Sequence, residues 1–246
     1  MRLIIQPDYE NMSKWAAKYV AQKINAACPT PQKPFVLGLP TGSSPLGMYR
    51  ELIKLNQQNI VSFAHVITFN MDEYVNLPKE HPESYHSFMW NNFFNHIDIH
   101  PQNVHILNGN APDLEAECAQ YEAAILQAGG IDLFLGGIGP DGHIAFNEPP
   151  TEDITDDEFR NIGTRCLDIA RETVTINGSN KLRGALEIFP KRCITLGMKQ
   201  LLSAKVFKVY LYCNWQWGIM RKIALKPYSK EAPASFLQTH PNAEMV

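Results

Sequence analysis

A chain of 246 residues is long enough for one large α/β domain, and its 45% hydrophobic and 19% charged residues are an ordinary globular balance that excludes a disordered polymer. The formal net charge of −3 leaves no basic excess to neutralise a nucleic-acid backbone, so no nucleic acid is expected as partner. No apolar run approaches the roughly 18 residues of a membrane span, so no membrane partner is expected.

The N-terminal MRLIIQPDYE is cut by Pro7 and Asp8, and it reads as a first strand over Leu3–Gln6, not as a signal peptide. Asn11–Ala27 follows as a helix, with Trp15, Ala16, Tyr19, Val20 and Ile24 on one stripe. Phe35–Leu39 is a strand. Pro45–Leu55 is a helix with Ser44 as its cap and Pro45 in its first position. Val66–Asn70 is the next strand, followed by helices over Pro82–Asn95 and Leu114–Gln127 and a strand over Ile131–Gly136. Further strands are expected over Cys193–Leu196 and Phe207–Tyr212, and a last helix over Trp215–Leu225. Several strands are unbroken apolar runs, as in a parallel sheet covered on both faces, so the alternation predicts a doubly wound α/β fold. Thr151–Arg160 is acidic and weakly periodic, and reads as an exposed loop or lid. No linker composition divides the chain, which gives a single domain over 1–246 with a lid expected at about 150–185.

The five cysteines, Cys28, Cys118, Cys166, Cys193 and Cys213, are scattered and contain no CxxC. Neither a disulfide framework nor a zinc site is expected, and a reducing cytoplasm is the simplest home. His96, His100 and His105 read as surface histidines and not as metal ligands.

Three stretches carry chemistry. In LGLPTGSSP, a strand ends in Thr41, Gly42, Ser43 and Ser44 before a helix begins. Hydroxyls, a permissive glycine and a helix start suit a phosphate, although a plain strand-to-helix turn explains this stretch alone equally well. No lysine follows the glycines as in a Walker loop, and the dinucleotide fingerprint is absent, so no ATP or NAD is implied. In VITFNMDEY, a strand runs into Asp72 and Glu73, and a carboxylate at a strand's carboxyl end can serve as a base. Read alone, that pair is also a solvated turn. In IDLFLGGIGPDGHIAFNEPP, an apolar strand opens into Gly136–Gly139, including Gly137, and then Asp141, His143 and Glu148. One carboxylate can fix the tautomer of the histidine while the ring transfers protons. The alternative for this stretch is a metal site, for which a clear fourth ligand is missing. No serine or cysteine elbow points to acyl-enzyme chemistry.

Together LPTGSSP, TFNMDEY with LPKEHPESYHSFMWNNFF, and GGIGPDGHIAFNEP resemble the glucosamine-6-phosphate deaminase family, closely as far as about Pro149 and again near SFLQTHPNA. The resemblance implies a modified Rossmann-type fold with a mostly parallel sheet flanked by helices. It implies conversion of glucosamine 6-phosphate and water into fructose 6-phosphate and ammonia, with no cofactor and no metal. Asp72 matches the base that moves a proton between C2 and C1, and His143 the group that assists ring opening, with Asp141 and Glu148 as its carboxylate partners. Glu73 sits beside the base. Thr41, Gly42, Ser43 and Ser44 match the loop that contacts the phosphate, and Gly137 belongs to the substrate-binding set.

The chain departs from the family pattern in its second half. The family's phosphate-gripping arginine has no counterpart in INGSNKL, where Lys181 and Arg183 are the neighbouring cations expected to substitute. Lys199, Arg221 and Lys222 are further candidates. Trp217 falls at the place of a phosphate-binding lysine, and the other reading is a substrate whose tail differs, with Trp217 stacking on something less charged. The acidic TEDITDDEFR replaces a basic regulatory loop and would repel a second phosphate, so activation by N-acetylglucosamine 6-phosphate is expected to be absent. The end of the sequence at Val246 puts hexamer formation in doubt and leaves the form of any homo-oligomer open. Galactosamine 6-phosphate as substrate, a 6-phosphogluconolactonase-type hydrolase and a non-catalytic sugar-phosphate sensor are the competing readings.

Overall fold

A computed structural model describes residues 1–181 and 189–246, without the side chains of 176, 177 and 179–181. The strands of the main sheet are β1 (Arg2–Leu3), β2 (Phe35–Leu39), β3 (Val66–Asn70), β5 (Val104–His105), β6 (Leu133–Gly136), β9 (Phe207–Val209) and β10 (Ala243–Met245). They form one seven-stranded sheet in the order β1-β10-β9-β6-β2-β3-β5, with every pairing parallel. The remaining three strands, β4 (Asp72–Tyr74), β7 (Arg165–Asp168) and β8 (Arg192–Thr195), make a separate antiparallel sheet in the order β4-β8-β7.

Pleating explains why the central strands are apolar throughout. In β2, Phe35, Leu37 and Leu39 point to one face, and Val36 to the other. The first face is covered by α1 (Tyr9–Ala27), α2 (Leu46–Gln57) and α3 (Tyr85–Asn92), through residues such as Ala16, Val20, Leu52 and Met89. The second face is covered by α4 (Leu114–Gln127), α5 (Asp156–Arg160), α7 (Met198–Leu202) and α8 (Gln216–Leu225), through Tyr121, Phe159, Leu201 and Ile223. The remaining helix, α6 (Arg171–Lys181), lies beside the small sheet, where Val174 joins Tyr74, Tyr85, Phe146 and Phe189 in a third cluster. The doubly wound expectation is met, and none of the helices among the described residues is long and apolar enough to cross a membrane.

Four local expectations are corrected. Helix α2 begins at Leu46 with Pro45 in the capping position and no side-chain cap, so Ser44 does not cap it. Thr151–Arg160 is only in part a loop: the side chain of Thr155 accepts from the N–H of Glu158, whose side chain accepts from the N–H of Thr155. That reciprocal capping box starts α5 and lets Phe159 be buried. The apolar run at Cys193–Leu196 does form a strand, yet it joins the small antiparallel sheet, because Leu196 N–H donates to Met71 O (2.8 Å) and draws β8 alongside β4. Finally, His105 is half-buried, with its ring 4.6 Å from that of Phe69.

Candidate active site

The carboxyl ends of the parallel strands gather the predicted residues on one edge. Thr41–Ser44 leave β2, Asp72 follows β3 and Gly137–His143 leave β6, so three neighbouring strands aim their loops at one place.

Asp72 and Glu73 are not a solvated turn: they are 5% and 4% exposed. Asp72 stands opposite Thr195 in the small sheet. Its position is therefore fixed by backbone pairing on one side and by the main sheet on the other. Glu73 points to the other face of β4. One of its carboxylate oxygens accepts from the N–H groups of Tyr74 (2.8 Å) and Tyr85 (3.0 Å), and the other from that of His86 (2.8 Å). The free amides and positive end of α3 thus hold an internal anion. These three bonds tie Glu73 to the backbone of its neighbour Tyr74 and to the start of α3.

The loop after β6 turns at Gly142, whose φ of +92° lies in the region open to glycine. The N–H of Gly142 donates to Gly139 O at 3.0 Å. The turn places Nδ1 of His143 2.6 Å from Oδ1 of Asp141, which also accepts from the His143 N–H at 3.1 Å. Burial works to raise the Asp141 pKa, but the hydrogen bond and charge of His143 outweigh it and hold the carboxyl below its ordinary value. Asp141 is therefore ionised through the neutral range, and its Oδ1 lies close enough to Nδ1 to orient the imidazole. Glycine at 139 is required, since a Cβ there would lie 2.1 Å from Cε1 of His143. Gly139→Ala is expected to displace the imidazole and lower kcat by about tenfold or more, with little change in circular dichroism. Unchanged kcat would mean that the ring position is not used.

Glu148 completes the cluster. Its carboxylate accepts from Ala170 N–H at 2.9 Å and from the hydroxyl of Thr173, both at the start of α6. Donor atoms of Asp141, His143 and Glu148 all lie within 4.8 Å of one another. These three groups could hold a metal ion. Two of them are also already oriented for acid–base work, Asp141 by His143 and Glu148 by α6.

Residues without any sequence signal hold this geometry. The N–H of Phe146 donates to Thr195 Oγ1 (3.2 Å). The buried Asn147 amide donates to Ile144 O (3.0 Å) and Leu196 O (2.8 Å), and its oxygen accepts from Arg165 Nη1 at 2.9 Å. Thr195 is paired with Asp72 on one side and Arg165 on the other. Strand β8 is thus the common support of Asp72 and of the loop that carries Glu148.

In the loop after β2, Gly42 has a φ of +98°, and Ser43 is exposed. Gly137 has nothing within 4 Å of where a Cβ would stand, which leaves open space beside the loop. Trp217 is 61% exposed. The buried side chain of that turn is Gln216, whose Oε1 accepts from the N–H groups of Tyr212 and Cys213, both at 3.0 Å. Its Nε2 donates to Ile138 O, also at 3.0 Å. Arg183 and the side chain of Lys181 lie outside the described residues. Lys199 and Arg221 are exposed, and Lys222 donates to Glu231 O at 2.8 Å.

The sequence profile of the family described as Glucosamine-6-phosphate isomerases/6-phosphogluconolactonase matches residues 7–244. The chain belongs to this family. Among its members, the glucosamine-6-phosphate deaminase of Parabacteroides distasonis is 63% identical over 246 residues, which is 100% of this chain and 88% of that protein. The glucosamine-6-phosphate deaminase of Porphyromonas gingivalis is 51% identical over 246 residues, or 100% of this chain and 90% of that protein. The structure of a monomeric glucosamine-6-phosphate deaminase superposes with a TM-score of 0.90 at 36% identity, covering 100% of this chain and 96% of the other. A 6-phosphogluconolactonase from Thermotoga maritima, at 19% identity and a TM-score of 0.70 over 99% of this chain and 97% of its own, shares the family fold. Family likeness runs through the second half of the chain too, beyond the point where the short motifs stop carrying it.

Proposed function

We propose that the chain is a glucosamine-6-phosphate deaminase, converting glucosamine 6-phosphate and water into fructose 6-phosphate and ammonia. The observation that carries this reading is the buried carboxylate of Asp72 on the same strand edge as the Asp141–His143–Glu148 cluster. Ring opening needs a proton at the ring oxygen and a base for the C1 hydroxyl, and His143, poised by Asp141 and Glu148, serves that exchange. Asp72 then takes the proton from C2 and returns it to C1, which leaves an imine at C2. Water adds to the imine carbon and ammonia departs, so the atoms balance without a redox step. Acid–base groups of the chain suffice, and the reading uses no metal and no cofactor. Thr41, Gly42, Ser43, Ser44 and Gly137 receive the phosphate end.

The lid reading for about 150–185 gains a physical link from Glu148. Residues 182–185 of that segment lie outside the described residues, but Ala170 and Thr173, which donate to Glu148, lie within it, so its closure would be felt directly at the cluster. The likeness to lactonases supports the fold alone, and lactone hydrolysis has no use for a base at C2. Ammonia release tests the proposal, measured on glucosamine 6-phosphate, galactosamine 6-phosphate and unphosphorylated glucosamine. Preferential turnover of glucosamine 6-phosphate is the expected result. Preference for the galacto epimer would reassign the substrate, and binding without turnover of any would replace the enzyme by a sensor. In the same assay, N-acetylglucosamine 6-phosphate is expected to leave the substrate affinity unchanged, because the acidic start of α5 stands where a basic loop would bind it.

A further inference from the structure

The rim of the phosphate loop is closed by a residue from the far end of the sequence. Strand β9 lies two places from β2, with β6 between them. Tyr212, just beyond β9, spans that gap, and its hydroxyl is 3.1 Å from Ser43 Oγ. Its ring packs 4.5 Å from that of Tyr9. Tyr9 fixes the same loop from the other side. Its hydroxyl donates to Ser43 O (3.0 Å) or Ser44 O (3.2 Å) and accepts from Gly47 N–H (2.8 Å). The main chain of Tyr212 is itself held by Gln216. Gly137, on the loop after the intervening strand, has open space where a Cβ would stand.

We propose that Tyr212 is a positioning residue for the phosphate end of the substrate, acting through the hydroxyl of Ser43; this rests on the deaminase reading above. A phenol stays protonated at neutral pH and donates to Ser43 Oγ. The serine's own proton is then directed away from Tyr212, and since Ser43 is exposed, a phosphate monoester oxygen can accept it. A chain of two hydroxyls polarises each donor more than either alone. The uncharged phenol and serine supply, by oriented hydrogen bonds, part of the grip that a lysine near this turn would supply by charge.

The test compares wild type with Tyr212→Phe, which keeps the ring contact with Tyr9 and removes only the hydroxyl. For glucosamine 6-phosphate, KM is expected to rise about three- to tenfold, with a much smaller change in kcat. The affinity for inorganic phosphate, measured by calorimetry, should fall by a similar factor while the melting temperature stays within about 1 °C of wild type. Ser43→Ala should give the same loss, and adding Tyr212→Phe to it should cost little more. Unchanged KM and unchanged phosphate affinity would overturn the proposal, as would a fall in kcat at constant KM, or independent additive losses in the double variant. The phosphate calorimetry needs no turnover, so it separates failure of this proposal from failure of the deaminase assignment.

Discussion

Asp72→Asn is expected to lower kcat for ammonia release by about 10²–10⁴ while ligand still binds. The substitution keeps the shape of a side chain that is 5% exposed and stands opposite Thr195, so neither sheet should notice it. It removes the one capacity that the proposed chemistry needs at that point, which is to take a proton from C2 and give it back at C1. An amide can do neither. Calorimetric titration with glucosamine 6-phosphate should therefore show binding within a few-fold of wild type. Exchange of the C2 hydrogen with deuterated water should stop together with turnover. A variant retaining more than a tenth of wild-type kcat would show that another group moves this proton. A variant that neither binds nor turns over would place Asp72 in the binding of substrate.

Glu244→Ala should be the most damaging single change for stability, at about 3–5 kcal/mol near pH 7. Lys208 is 1% exposed in the middle of the sheet. It faces Glu244 across β9 and β10, and Arg2 faces Glu244 from β1. Glu244 thus sits in a row between two cations, paired with Lys208 and 2.8 Å from Arg2. The rings of Tyr19, at 4.2 Å, and Trp15, at 5.9 Å, cover the ammonium. Burial, with the charges of Arg2 and Lys23, pulls the Lys208 pKa down to about 8. It remains charged at neutral pH, and Glu244 is the carboxylate that compensates it. The folded pKa lies below the unfolded value of about 10.4, so the buried charge opposes folding, and that opposition fades as pH rises through about 8. Urea denaturation should therefore show a large loss in Glu244→Ala at pH 7 and a smaller one at pH 9. A double change, Glu244→Leu with Lys208→Met, should recover much of it. A loss below about 1 kcal/mol at pH 7 would mean that the pair is structurally idle.

The parts of the fold that could be read from sequence share one property: their signal is local and long. Strands β2, β3 and β6 are apolar runs set between helices, and they were legible to within two residues. The proposed acid–base residues, Asp72, Asp141, His143 and Glu148, could be singled out because they lie in compact motifs beside strand ends. Strands β4 and β7 were not legible. DEY and RCLD have no alternation that marks a strand, and both exist because β8 lies between them. Helix α5 is too short to show a period, although Thr155 and Glu158 carried a capping signal that could have been read. The support of Asn147 by Arg165, and of Ser43 by Tyr212, joins residues 18 and 169 positions apart. No local pattern announces such pairs.

The pairing of β1 with β10 also bears on how the chain is made. Among the described residues, the strand partners of Arg2 and Leu3 are Glu244 and Met245. At about 5–20 residues per second, the ribosome needs roughly 12–50 s to reach those partners after the first strand has emerged. Helices α1 and α2 and strands β2 and β3 can meanwhile assemble, since their contacts are between neighbours in the sequence. Arg2 and Leu3 must wait unpaired, and β1 joins the sheet only after β10 has been made.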